Sequence, residues 1–137
     1  MQIVNQVNPS SERIRQFFGD EDDGPFVMVN LLKFKDKAEY PDGRETDLSG
    51  AKAYAIYAAS VTTCLERVGG RPRYGGAVTG LMLGEIEEQW DMVALAEYPS
   101  LKAMQTMIMS PEYQEIAVHR VAGLKGQLNI KTKPGGL

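Results

Sequence analysis

An α+β sandwich of element order βαββαβ is predicted by three observations. The stretch 90–123 (WDMVALAEYPSLKAMQTMIMSPEYQEIAVHRVAG) reads as a strand followed by a helix, with stop and start signals intact. The earlier run 26–84 reads as strand, helix, strand, and 124–132 closes the chain as a further strand. That order belongs to the ferredoxin-like arrangement, a four-stranded antiparallel sheet with its helices on one face.

Residues 1–25 are expected to form a helical extension. Asn8 is the expected cap, Pro9 takes the first helical position, Ile14, Phe17 and Phe18 recur at helical spacing, and GDEDDG stops the helix. The run FVMVNLLKF at 26–34 is apolar on both faces apart from Asn30 and Lys33, the pattern of a strand covered on two sides. Residues 35–47 make a charged loop with an Asp42-Gly43 turn signal. Its two readings are a hydrated surface insertion and a lid, placed at the sheet edge where the third strand hands over to its helix. Asp47 or Ser49 caps the long helix that follows. Tyr54, Tyr57, Val61, Cys64, Leu65 and Val68 define its buried stripe, and Gly69-Gly70 ends it.

Residues 71–84 form an extended segment in which Gly75, Gly76 and Gly80 signal bulges or close backbone approach, and 85–89 leads into a strand over 90–98. Pro99 closes that strand, Ser100 opens a helix carrying Leu101, Met104 and Ile108, and Ser110-Pro111 breaks and restarts it. In the last strand Leu124, Gly126, Leu128 and Ile130 alternate with Lys125, Gln127, Asn129 and Lys131. The domain therefore spans 26–132, followed by a loose tail over 133–137.

A chain of 137 residues fits one domain with a self-supporting core. Its net charge of -3, with both signs interspersed, gives no sustained basic face for a phosphate backbone, so nucleic acid is not an expected partner. The N-terminal MQIVNQVNPSSERIR lacks the basic-then-apolar layout of a signal peptide, and no stretch approaches the roughly 18 apolar residues that span a bilayer. A soluble, cytoplasmic protein without a membrane partner is the expectation. Cys64 is the one cysteine, which rules out an internal disulfide or a cysteine metal cluster, and its place on the apolar stripe marks it as packing.

Helices on one face leave the other face of such a sheet bare, and here that face is too apolar for water. The first strand alternates Phe26, Met28, Leu32 and Phe34 with Val27, Val29 and Leu31, and the third alternates Trp90, Met92, Ala94 and Ala96 with Val93 and Leu95. An exposed apolar face of several hundred Å² marks an association surface. The expectation is a twofold homodimer, sheet against sheet.

The strings YAIYAASV, VGGRPRYGG and WDMVALAEYPSLKAMQTMIMSPEYQEIAVHR, with the closing apolar strand, resemble the family called domain of unknown function 1330, of the dimeric α/β barrel superfamily. The resemblance runs from about Phe26 to Lys131, and its most specific part is the strand-Pro-Ser-helix-Ser-Pro-Glu-Tyr passage at 98–113. It implies a ferredoxin-like protomer pairing through its sheet, and brings no established activity or catalytic set. Other branches of the superfamily include cofactor-free monooxygenases, isomerases and haem enzymes that use a cleft between sheet and helices, an analogy of fold rather than of site.

His119 is the sole histidine and the natural candidate for a general base, or else a partly exposed helix residue; no metal site is expected, since it has no second histidine and no carboxylates at ligand spacing. Asn30, an amide in an apolar strand, needs a hydrogen-bond partner, either backbone or a ligand oxyanion. Arg73, beside Tyr74, stabilises a carboxylate or enolate, or simply ends an exposed strand. Tyr54, Tyr57, Trp90 and Tyr113 line a pocket for a flat organic ligand or belong to the core. No dinucleotide loop, GxSxG, HExxH or phosphate loop is present. Two readings stand. One is a cofactor-independent enzyme performing proton transfer or oxygenation on a small organic molecule, with His119 as base, Arg73 as anion stabiliser and Asn30 as oxyanion donor. The other is a non-catalytic, ligand-binding or accessory homodimer. Convergence of His119, Arg73 and Asn30 on one pocket favours the first; separation favours the second.

Overall fold

Along the chain run α1 (Ser11–Phe18), β1 (Phe26–Phe34), α2 (Gly50–Arg67), β2 (Arg71–Ala77), β3 (Met92–Tyr98), α3 (Leu101–Met109), α4 (Pro111–Gly123) and β4 (Leu124–Thr132) in the computed structural model, which describes residues 4–135. The strands form one antiparallel sheet in the order β2-β3-β1-β4. This is the ferredoxin-like α+β sandwich that the sequence predicts, with the second helix split into α3 and α4. Residues 136 and 137 of the expected tail, and 1–3 of the extension, lie outside the described residues.

The register sorts side chains onto two faces, because residues directly opposite in neighbouring strands share a side. Phe26, Met28 and Leu32 are buried beneath the helices with Tyr98 and Leu124. Val27, Val29 and Leu31 point the other way, alongside Val93 and Leu95 of β3 and Leu128 and Ile130 of β4, and none of these is fully buried in a single chain. Ile130 is 44% exposed.

The final strand departs from unbroken alternation. Phe34 faces Leu124 while Lys33 faces Gly126, so Lys125 is an extra residue and the register shifts there. The bulge turns Leu124 inward with Gln127, and leaves Leu128 and Ile130 on the open face. In β2 the corresponding irregularity falls between Pro72 and Tyr74, rather than at the glycines. Gly76 still marks a close approach, since a Cβ there would meet the Tyr74 hydroxyl at 2.5 Å. Strand β2 stops at Ala77, and β3 begins at Met92 rather than Trp90.

The helix signals resolve cleanly. Ser10, not Asn8, caps α1: its hydroxyl accepts from the Arg13 N–H at 3.1 Å. Phe17 and Phe18 of α1 pack against the cluster around Phe26, Met28, Leu65 and Leu101, and the Asp23 carboxylate accepts from the Leu101 N–H. Of the two candidates before α2, Ser49 is the cap, accepting from the Lys52 N–H at 3.1 Å. Gly69, at φ +84, ends that helix in the left-handed region that glycine tolerates. Ser110 both closes α3 and opens α4, donating to the Met107 carbonyl at 2.7 Å and accepting from the Tyr113 N–H at 3.2 Å.

Helices α2 and α4 meet where Gly50 touches Gly123. The Lys35 N–H donates to the Gly123 carbonyl at 2.8 Å and the Gly50 N–H to the Lys35 carbonyl at 3.0 Å, so backbone meets backbone with no room for a side chain.

The charged loop 35–47 lies elsewhere than expected. Because β1 and β3 run antiparallel, the loop leaves β1 at the end where β3 begins, opposite the Tyr98–α3 junction. It is also anchored rather than merely hydrated. Ala38 and Tyr40 are buried with Ala53 and Ala122, and the Glu39 N–H donates to the Ala122 carbonyl at 3.0 Å. The expected turn is present: Gly43 sits at φ +80, with its N–H donating to the Tyr40 carbonyl at 3.0 Å.

Candidate functional site

A chain of polar side chains runs through the layer between sheet and helices. Asn30 projects from mid-β1 on the helix side, where an unpartnered amide would cost about 1–3 kcal/mol. Its Nδ2 donates to the Ala94 carbonyl at 3.0 Å, and its Oδ1 accepts from Gln127 Nε2 at 2.8 Å. The Gln127 Oε1 accepts in turn from Arg120 Nη2 at 2.7 Å, and the same nitrogen donates to the Val7 carbonyl at 2.6 Å. Among the described residues no carboxylate lies within 4.0 Å of the Arg120 guanidinium.

Three tyrosines stand against this chain. The rings of Tyr54 and Tyr57, from successive turns of α2, lie 5.3 Å apart, and Tyr57 meets Tyr113 of α4 edge-on at 6.0 Å with their hydroxyls 3.1 Å apart. Tyr113 is held there by Ser110, whose cap fixes the first turn of α4. Burial pushes the Tyr54 phenol up to about 12 against the opposing pull of the Arg120 charge, and pushes Tyr57 well above its usual range. Both are therefore neutral at physiological pH, apolar walls rather than bases, with the Tyr57 hydroxyl engaged by Tyr113. Tyr54 and Tyr57 pack with Leu32 and Leu124, and Val7 packs against that cluster.

His119, Arg73 and Asn30 do not assemble. His119 accepts or donates one hydrogen bond, with the Tyr40 hydroxyl 2.7 Å from Nδ1, and thereby clasps loop 35–47 to α4. Burial lowers its pKa, and the nearby Arg44 charge lowers it further, so the imidazole is neutral. Arg44 itself lies over the Tyr40 ring at 4.6 Å. Arg73 sits at the β2 bulge and pairs with Glu97 at 2.8 Å, as does Arg71, on the sheet face opposite the helices. Arg71 first, with Arg73 beside it, holds the Glu97 carboxyl below its usual range. Asn30 alone of the three reaches the layer between sheet and helices.

Of the aromatic set, Tyr54, Tyr57 and Tyr113 cluster, whereas Trp90, two residues ahead of β3, is buried beneath the Lys33 ammonium, 4.8 Å from its ring centroid. Arg120 and Gln127 join the site without having been singled out from sequence. Backbone or a ligand oxyanion is the partner expected of Asn30; the structure supplies the Ala94 carbonyl and Gln127, whose side of β4 is set by the bulge. Among the described residues no group of three or more His, Cys, Asp or Glu side chains is placed to hold a metal ion.

The family model for the domain of unknown function (DUF1330) matches residues 44–132. The match thus begins after β1, later than the resemblance read from sequence. No curated protein matches the chain. Among solved structures, a protein of unknown function from Rhodopseudomonas palustris is 34% identical at a TM-score of 0.87, over 98% of this chain and 100% of that one. A methylated form of that protein aligns at 37% identity and a TM-score of 0.87, over 98% of both chains. A protein of Arabidopsis thaliana shares the fold alone, at 19% identity and a TM-score of 0.54, over 82% of this chain and 97% of that one. With the family model covering most of its length, its strand-Pro-Ser-helix passage intact and its sheet in the ferredoxin-like order, the chain belongs to the family of the domain of unknown function DUF1330.

Proposed function

We propose that the protein is a homodimer, paired sheet against sheet, that binds a small organic molecule in the layer between its sheet and helices. The observation that carries the ligand-binding part is the polar chain Asn30–Gln127–Arg120 beside the tyrosine cluster, a line of directed donors and acceptors set in apolar walls. Pairing through the sheet is supported by its open face, where Val27, Val29, Leu31, Val93, Leu95, Leu128 and Ile130 form one apolar surface across β3, β1 and β4. The enzymatic alternative, proton transfer or oxygenation without a cofactor, draws less support because His119 and Arg73 are engaged elsewhere. A cytoplasmic location belongs to the same reading: Cys64 is a free, buried thiol, and no described helix is long and apolar enough to cross a membrane.

A thermal-shift screen against aromatic acids, lactones and haem tests the ligand site, since a compound that binds only the native state raises the melting temperature. Silence across the screen would count against it. Sedimentation velocity tests the pairing: the native chain runs at twice the protomer mass at micromolar concentration, and Val29→Lys, at the centre of the face, runs as a protomer. A native chain that sediments as a protomer overturns the dimer.

A further inference from the structure

We infer that Arg120 is the anchor of this site and that its ligand is an organic anion, a carboxylate or enolate on a flat apolar body, one oxygen of which replaces the Val7 carbonyl. The inference rests on the reading that the layer between sheet and helices binds a small molecule, and adds the charge and the anchoring group. A guanidinium offers five N–H donors in a rigid fork that matches the two oxygens of a carboxylate. Here Nη2 is engaged, by two neutral oxygens, those of Val7 and Gln127. A half-buried cation that meets only neutral acceptors among the described residues has its desolvation unmatched by any counter-charge. An anion supplies that charge and two stronger hydrogen bonds.

The neighbouring groups suit such a guest. Gln127 is locked by Asn30, so it presents a fixed edge beside the guanidinium. The Tyr54 and Tyr57 rings supply apolar walls, and their buried phenols stay neutral and do not repel a negative charge.

The Val7 carbonyl occupies the position the anion would take. Its segment runs over β4: the Gln6 carbonyl accepts from the Gln127 N–H at 3.0 Å, Asn5 sits against Gly126, and residues 4–6 and 8 are exposed. The Val7 side chain packs against the cluster of Leu32, Tyr54, Tyr57 and Leu124. Residues 7–10 form no helix or strand, and moving the Val7 carbonyl aside is what opens the guanidinium to a guest.

The test is titration calorimetry on the full chain with benzoate and 2-naphthoate, each paired with its neutral amide. A carboxylate held by the guanidinium should bind about 10- to 100-fold more tightly than its amide, the range expected for hydrogen bonds to a charged group. Arg120→Gln should abolish that preference. The Arg120 Nε–H resonance, observed by NMR in the native chain, should move with the acid and not with the amide, which keeps the test alive if Arg120→Gln does not fold. Acid and amide binding alike, or an acid preference that survives Arg120→Gln, overturns the anion anchor while leaving a small-molecule site in place. No binding by acid, amide or any compound of the wider screen overturns both.

Discussion

Gly123→Ala probes the crossing on which the placement of α4, and with it Arg120, depends. A methyl group at this position would stand 2.9 Å from the Tyr54 nitrogen and 3.2 Å from the Tyr54 Cβ, and nearer still to the Gly50 carbonyl oxygen. Carbon requires about 3.5–4.0 Å for unstrained contact. None of the groups in the way is a side-chain tip able to swing aside, so the helices must part. Parting stretches the Lys35 N–H bond to the Gly123 carbonyl, 2.8 Å, and the Gly50 N–H bond to the Lys35 carbonyl, 3.0 Å. Overpacking costs about 1–3 kcal/mol and each weakened bond about 1 kcal/mol. The better helix propensity of alanine returns about 1 kcal/mol. The clash wins, with a net loss of about 2–4 kcal/mol, or roughly 6–15 °C in melting temperature for a chain of this length. Urea and thermal unfolding at one fixed protein concentration measure it, with Gly80→Ala as control, since a Cβ there meets nothing within 4 Å. Gly123→Ala as stable as Gly80→Ala, within about 0.5 kcal/mol, refutes the reasoning.

Ser110→Ala removes the group that closes α3 and opens α4 and should cost about 1–2 kcal/mol in urea unfolding; a neutral outcome would show that water replaces the cap. Tyr57→Phe deletes the 3.1 Å hydroxyl contact with Tyr113, and about 0.5–1.5 kcal/mol of stability is expected to go with it. His119 has a folded pKa below the unfolded value near 6.5, so folding favours its neutral form. That contribution is complete above pH 6.5 and is lost as pH falls through it towards the lower folded value. Over that window the urea midpoint of the native chain should fall more steeply than that of His119→Gln, and parallel curves would remove His119 from the account. Glu97→Gln, on a β3 carboxylate shared by Arg71 and Arg73 on the open sheet face, should change stability by less than about 1 kcal/mol, read from the same urea midpoints, when both side chains are compared in the Val29→Lys protomer, where the ion pair faces water.

Much of the fold was legible because its signals are local. Ser100, Ser110-Pro111 and Gly69 punctuate the helices through capping chemistry that operates within a few residues, and the α2 stripe places Tyr54, Tyr57, Cys64 and Leu65 inward by periodicity alone. The misplaced features are those decided by distant partners. Asn8 and Ser10 are both competent caps, and the start of α1 at Ser11 selects the second. The end of the sheet at which loop 35–47 emerges follows from the pairing of β1 with β3, which no local signal encodes. The site was half legible for the same reason. A lone amide in an apolar strand announces that Asn30 needs a partner, but Gln127 and Arg120 become its neighbours only through the strand register and the helix crossing. His119 and Arg73 carry the chemistry of a base and an anion clamp, and the chain uses it for a loop clasp and an ion pair with Glu97.

The extra residue at Lys125 acts as a parity switch. It lets one short segment serve two masters, sending the Gln127 amide toward Arg120 while its neighbours Leu128 and Ile130 face outward. Deleting it would exchange the two sets, stranding aliphatic groups beside the guanidinium and amides on the surface meant to be dry. Natural length variation among relatives should therefore accumulate in 35–47 and 78–91 and spare 124–128, and a sequence survey that found gaps there would have to find the compensating slip in β1.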